Sequence, residues 1–200
     1  MPARLRLVLT ALTVCAVAAV IGASLAMSGD DGGTGQTNGW AGAVRPPGLA
    51  VPAFSLTDQD GKPVTAASLR GKPTVYAFIY STCQDTCPAQ VQTIRQALDD
   101  THADVNVVGI PVDPKTDTPK LAKTFLLKQT MTGRMKFLLG TRAQLEPVWK
   151  AFGIRPQNNA LEHSAHVVVA DTAGMQRVGF PFDHLTRDGL GHDMAKLASR

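Results

Sequence analysis

The sequence is poor in cysteine, with three in 200 residues. Cys15 lies in an apolar N-terminal run, so only Cys83 and Cys87 remain for the rest of the chain. One short-range bridge cannot staple a domain of this size, which excludes a disulfide scaffold. An excess of charge of one sign is lacking too. Once Arg4 and Arg6 are set aside, 18 basic residues face 16 acidic ones. That near-balance gives no support to nucleic-acid binding. No internal repeat is visible, and the length fits one globular domain plus N-terminal extras.

The first extra is an uncharged, mostly apolar stretch from Leu7 to Met27. About 20 such residues are enough to cross a bilayer as a helix. Arg4 and Arg6 precede it, and Asp30 and Asp31 follow. Positive charge before the span places the N-terminus inside and the remainder outside. Ser24-Leu25-Ala26 also offers a small-residue cleavage pattern. Residues 1–27 are therefore read as a transmembrane anchor or a signal peptide, with Cys15 an apolar residue within it. Residues 28–49, rich in Gly, Ser, Thr, Asp and Pro, read as a flexible linker. The domain is expected over 50–200, membrane-anchored or exported, on the extracytoplasmic side.

Within it, Phe54 to Gly61 reads as a short strand and turn, and Leu69 to Pro73 as a break. Thr74 to Tyr80 is a β-branched and aromatic run, hence a buried strand. A helix follows Cys87-Pro88 as far as Asp99, with Val91, Ile94 and Leu98 at helical spacing. Val105–Val112 is a second buried strand. Pro119–Gln129 is a helix with Leu121, Phe125 and Leu126 as its apolar face. Lys136–Leu139 is a short strand. Arg142–Phe152 is a helix that Pro147 kinks or delays and Gly153 stops. Ala165–Ala170 and Met175–Phe180 form a hairpin across Asp171–Gly174, and Arg187–Ala198 is a last helix. Alternating strands and helices predict an α/β layer fold with a central sheet.

The chemistry centres on Cys83-Gln84-Asp85-Thr86-Cys87-Pro88, where a strand gives way to a helix. A helix N-terminus carries partial positive charge and free N–H groups. Both favour thiolate, the form that attacks disulfides and binds soft metals. With an imidazole added, two thiolates form a soft site suited to Cu(I). Spacing alone leaves His163 and His166 as equal candidates for that imidazole. An offset of three on extended chain puts them on opposite faces, so only one can face the cysteines. His102, His184 and His192 are assigned no role. Asp113-Pro114 reads as a turn, and Asp117 as the cap of the helix opening near Pro119.

Three segments carry a resemblance: the cysteine motif followed by Pro88, Val112-Asp113-Pro114-Lys115-Thr116-Asp117-Thr118-Pro119, and Glu162-His163-Ser164. On these, residues 50–198 resemble the Sco/SenC family of copper-handling proteins. The resemblance implies a thioredoxin-like three-layer fold with a central mixed sheet. It implies copper, as Cu(I) or Cu(II), held by Cys83, Cys87 and His163. The implied role is a metallochaperone, not an enzyme, for the dinuclear copper centre of cytochrome c oxidase. Its partners would be the copper-binding oxidase subunit or other copper chaperones, and a monomer is the default. This chain has Glu162 where the family usually has Asp, and Gln84 where Pro is frequent.

The competing reading is a thiol–disulfide oxidoreductase with Cys83 and Cys87 as its redox-active pair, acting on cysteines of a membrane-enzyme subunit. Thioredoxins space their pair by two residues, not three, and place a proline before the late strand. Here Glu162-His163-Ser164 stands at that position. A zinc-stabilised module lacks a fourth ligand.

Overall fold

The computed structural model describes residues 39–156 and 165–199. Eight strands and four helices alternate through them. These are β1 (Ala43–Val44), β2 (Ser55–Thr57), β3 (Pro63–Thr65), β4 (Thr74–Ile79), α1 (Thr86–Thr101), β5 (Asn106–Pro111), α2 (Pro119–Lys128), β6 (Lys136–Phe137), α3 (Arg142–Phe152), β7 (His166–Ala170), β8 (Gln176–Pro181) and α4 (Arg187–Ala198). Short 3₁₀ turns at Ala67–Leu69 and Phe182–His184 complete the described set.

Six strands form a mixed sheet in the order β1-β8-β7-β4-β5-β6, and β2 and β3 make a separate hairpin. β4, β5 and β6 run parallel, while β7, β8 and β1 are antiparallel to their neighbours. β4 is buried throughout and sends alternate residues to opposite faces, as a strand must. Val75, Ala77 and Ile79 join the core cluster that also holds buried side chains of α1, α2 and α4. Tyr76 and Phe78 join the other cluster, with Leu145, Val148, Trp149 and Phe152 of α3. The Phe152 ring lies 5.0 Å from that of Tyr76 and 5.1 Å from that of Phe78. The result is the expected three layers.

The register places the candidate site. Thr74 pairs with Asn106 and Ile79 with Pro111, so the C-terminal ends of β4 and β5 lie side by side. The loops 80–85 and 112–118 therefore leave from the same end of the sheet. β7 runs the other way, with Val167 opposite Ala77, so His166 begins it at that end too.

Three expectations change. Leu121 does not belong to the apolar face of α2: it is 37% exposed, and Ala122 takes its place beside Phe125 and Leu126. Asp117 does not cap that helix, because the Thr118 side chain accepts from Leu121 N. The linker expected over 28–49 reaches only partly into the described residues, and from Gly39 onward the chain is packed. β1 pairs with β8, and the buried Asp193 carboxylate accepts from Ala41 N at 3.0 Å and Gly42 N at 2.9 Å. Lys196 Nζ sits 4.2 Å from the centre of the Trp40 ring. A Cβ at Gly42 would meet Phe180 Cζ at 2.6 Å, so glycine is needed for this close approach. Pro147 lies inside α3 without ending it. No helix among the described residues is long and apolar enough to cross a membrane, and the anchor or signal expected over 1–27 lies outside them.

Candidate functional site

β4 ends at Ile79, and the chain turns at once. Cys83 N donates to Tyr80 O at 3.3 Å, closing the turn that carries the first cysteine. Helix α1 then begins at Thr86, with Cys87 as its second residue. The two cysteines are thus held by one strand end and one helix start, as the sequence predicts. Cys83 itself is not helical.

The N-terminus of α1 is capped in an uncommon way. Asp85 is at the cap position, but its side chain makes no capping hydrogen bond. The sulfur two residues earlier takes over: Cys87 N donates to Cys83 Sγ at 3.3 Å, and Thr86 Oγ1 lies 3.8 Å from it. Both cysteines are free. Cys83 is 7% exposed and Cys87 wholly buried, within the core cluster of α1, α2 and α4. That is deeper than expected for sulfurs a partner must reach.

Burial in apolar surroundings alone would raise both thiols. Instead the two are split. Cys83 is pulled well below the ordinary thiol range, chiefly by the hydrogen bond from the Cys87 side chain. Burial opposes this, and the backbone N–H groups of Asp85 and Cys87 and the Tyr80 hydroxyl reinforce it. Cys87 is pushed up by the same hydrogen bond, seen from its own side, and by burial. The surroundings thus favour the thiolate at Cys83 and the thiol at Cys87. A soft anionic sulfur beside a second sulfur suits a soft cation, and equally suits attack on a disulfide.

The histidines divide. His166 opens β7, half-buried, and its carbonyl accepts from Gln90 Nε2 at 2.8 Å. Burial, then the neighbouring Arg45 charge, lowers its imidazole pKa and favours the neutral ring. His163 lies outside the described residues. Among the described residues no group of three or more His, Cys, Asp and Glu is placed to hold a metal ion.

Two features escaped the sequence. Asp117 belongs to the cysteine loop: its Oδ1 accepts from Ser81 N at 2.7 Å and from the Ser81 hydroxyl. Its Oδ2 is buried without a partner. Desolvation raises this carboxyl to about 6 despite the Ser81 bonds, with the Asp113 charge adding to the rise. Asp113 keeps its expected turn, accepting at its carbonyl from Thr116 N and Asp117 N at 3.2 and 3.3 Å. The second feature is Tyr80, which follows the strand, packs against both core clusters and closes the Cys83 turn through its carbonyl. Asp117 lies in one of the segments that carry the resemblance, but nothing local ties either residue to the cysteines. The proline-rich stretch around Asp117 reads as a turn and helix start, and Tyr80 as the end of a strand.

The family model described as SCO1/SenC matches residues 43–198. An SCO2-like protein of Rickettsia prowazekii is 29% identical over 142 residues, which cover 65% of this chain and 68% of that one. The mitochondrial protein SCO2 of Saccharomyces cerevisiae is 31% identical over 136 residues, covering 60% of this chain but only 44% of the yeast protein. Among solved structures, that of Bradyrhizobium japonicum ScoI with copper bound superposes with a TM-score of 0.61 at 29% identity. It covers 74% of this chain and 99% of that chain. The span matched by the family model includes the mixed sheet, the cysteine pair and the Asp117 loop, and the chain belongs to the SCO1/SenC family.

Proposed function

We propose that this protein binds copper through Cys83, Cys87 and His163 and delivers it to the dinuclear copper centre of cytochrome c oxidase. The observation that carries the reading is the split cysteine pair. Cys83 Sγ accepts from Cys87 N at the start of α1, beside a second free sulfur, and its surroundings favour the thiolate. Two thiolates and a neutral imidazole give Cu(I) a site of net charge −1, which the helix N-terminus tolerates. The copper-bound relative and the family membership support the cargo. The reading further takes the chain as a membrane-tethered or exported monomer acting outside the cytosol. Its partner is the copper-binding oxidase subunit or another copper chaperone. Delivery by ligand exchange requires residues 80–86 to open, because neither sulfur is exposed in this structure.

The test is an anaerobic Cu(I) titration of the reduced full chain in detergent, against a competing chelator. The parent should show one tight site. Removing the imidazole in His163→Ala should weaken it by at least the roughly 10–100-fold typical of a disturbed metal site. His166→Ala should leave it unchanged. If His166→Ala weakens the site and His163→Ala does not, the ligand assignment falls. If the reduced parent does not compete at all, copper leaves the account.

The split between the thiols also favours a second reading, thiol–disulfide exchange. Cys83 would attack a substrate disulfide and release one substrate thiolate, which takes a proton from Cys87. Cys87 would then attack the mixed disulfide, leaving a Cys83–Cys87 disulfide and a fully reduced substrate. The two readings are linked, since the oxidised pair cannot hold Cu(I). Failure of the reduced chain to turn over a protein disulfide would set this one aside.

A further inference from the structure

Cys83 and Cys87 are buried although their neighbours Thr82, Gln84 and Asp85 are exposed. Most of what holds residues 81–85 is local. Cys83 N donates to Tyr80 O at 3.3 Å, and Cys83 Sγ accepts from Cys87 N at 3.3 Å. Among the described residues, only Ser81 of this loop hydrogen-bonds a distant part of the chain. Its N–H donates to Asp117 Oδ1 at 2.7 Å, and its hydroxyl donates to the same oxygen. The Asp117 side is fixed in place. Asp117 N donates to Asp113 O at 3.3 Å, and the next residue, Thr118, caps α2. Ala122, Phe125 and Leu126 of that helix share a core cluster with both cysteines. Asp117 Oδ2 is buried with no partner among the described residues. A carboxylate bonded at one oxygen and dry at the other carries a desolvation cost. Opening the loop returns that oxygen to water, so the closed loop is favoured by less than its two bonds to Ser81 suggest.

We propose that Asp117 is a positioning residue that latches the cysteine loop: its bonds to Ser81 keep Cys83 covered, and their release opens residues 81–85 to an incoming partner. The idea deepens the function proposed above, because ligand exchange with buried sulfurs needs such an opening, and it rests on the same pair being the working part. Its test uses no metal. Failure of the latch would leave copper binding standing, and a chain that bound no copper would still show whether the latch exists.

The experiment follows amide hydrogen exchange in the reduced, metal-free full chain in detergent. The probes are the N–H groups of Cys83 and Cys87, which donate to Tyr80 O and Cys83 Sγ and not to Asp117. Their exchange therefore reports opening of the loop, not the mere loss of an acceptor. Asp117→Ala should speed both at least about tenfold, the low end for losing a hydrogen bond to a charged group. Asp117→Asn can still accept from Ser81 and should not speed them. Ser81→Ala loses the hydroxyl bond but keeps the N–H bond, and should fall between the parent and Asp117→Ala. The amides of Val75 to Phe78 in buried β4 should keep the parent rate in every variant, which separates local opening from a fold weakened throughout. A second readout is labelling of Cys83 by N-ethylmaleimide, located by mass spectrometry on the peptide carrying both cysteines, which keeps Cys15 out of the signal. It should accelerate in Asp117→Ala together with the amides. Unchanged exchange in Asp117→Ala, an equal rise in Asp117→Asn, acceleration that extends into β4, or faster amides without faster labelling overturns the proposal.

Discussion

The helix starts of this protein fall into two kinds. At α2, α3 and α4 an extended threonine caps the helix: Thr118 accepts from Leu121 N at 3.3 Å, Thr141 from Gln144 N at 3.3 Å, and Thr186 from Gly189 N at 3.2 Å. At α1 the cap residue by position, Asp85, makes no such bond, and Cys83 Sγ accepts from Cys87 N instead. A threonine hydroxyl satisfies one orphan N–H, and its role ends there. A cysteine in that place is ionisable, so the same N–H group also stabilises an anion. One backbone device thus closes three helices and primes the fourth for chemistry.

The largest break in that comparison is Cys83→Ser, which turns α1 into a helix of the other kind. The hydroxyl should still accept from Cys87 N, so helix content and unfolding midpoint should change little, within the roughly 1 kcal/mol of a cap exchange. Rapid alkylation at position 83 should vanish, and Cu(I) affinity should fall more than about a hundredfold, beyond the loss from disturbing an orienting partner. Circular dichroism beside chelator competition separates the two effects. A variant that unfolds would show that the sulfur is structural, and the contrast with the threonine caps would be void.

Much of this was legible locally, and the exceptions share a cause. The start of α3 at Arg142 and its stop at Gly153, the span of α4, and the cysteine pair at a strand–helix junction all follow from neighbours in sequence. Residues 39–45 looked like linker because their fixings are distant: Asp193 and Lys196 on α4, and the Phe180 ring over Gly42. Leu121 sits at the right spacing for the apolar face of α2, but it stays 37% exposed. Asp117 is the instructive case. Asp at a helix start is a capping signal, yet the adjacent Thr118 caps, and the carboxylate reaches back 36 residues to Ser81. Only the parallel pairing of β4 and β5, which sets their following loops together, makes that contact.

Asp117 sharpens the comparison from the other side, because the cysteine loop tolerates a polar group left partly unsatisfied. Its carboxyl pKa is raised from 3.8 to about 6, mainly by desolvation. Between those two values the folded chain binds the proton and the unfolded chain does not. Stability therefore falls as pH rises from about 4 to 6 and stays lower above that. A shift of this size is worth about 2–3 kcal/mol. Asp117→Asn cannot ionise and can still accept from Ser81, so it should be the more stable protein at pH 8 by about that amount. The gap should close by pH 4. Urea unfolding at several pH values measures it, and a gap that does not vary with pH would show that the buried charge is compensated by groups outside this loop.

The smallest expected effect tests the ordinary kind of cap. Thr141 and Gln144 form a reciprocal box: Thr141 Oγ1 accepts from Gln144 N, and Gln144 Oε1 accepts from Thr141 N at 2.9 Å. Gln144 Nε2 also donates to Ser55 O at 3.1 Å, tying α3 to the β2–β3 hairpin. Thr141→Ala removes the bond accepted from Gln144 N and the one donated to Gln144 Oε1, but leaves the Gln144 side chain free to hold both the Thr141 N–H and Ser55. The cost should be about 1 kcal/mol, typical of a lost threonine cap, or about 2–4 °C in Tm for a domain of this size. Alkylation at Cys83 and the Cu(I) affinity should not move, because α3 packs on the opposite face of the sheet from the cysteine pair. A change in either would mean that the two kinds of helix start are mechanically coupled through β4, whose alternate side chains enter both cores.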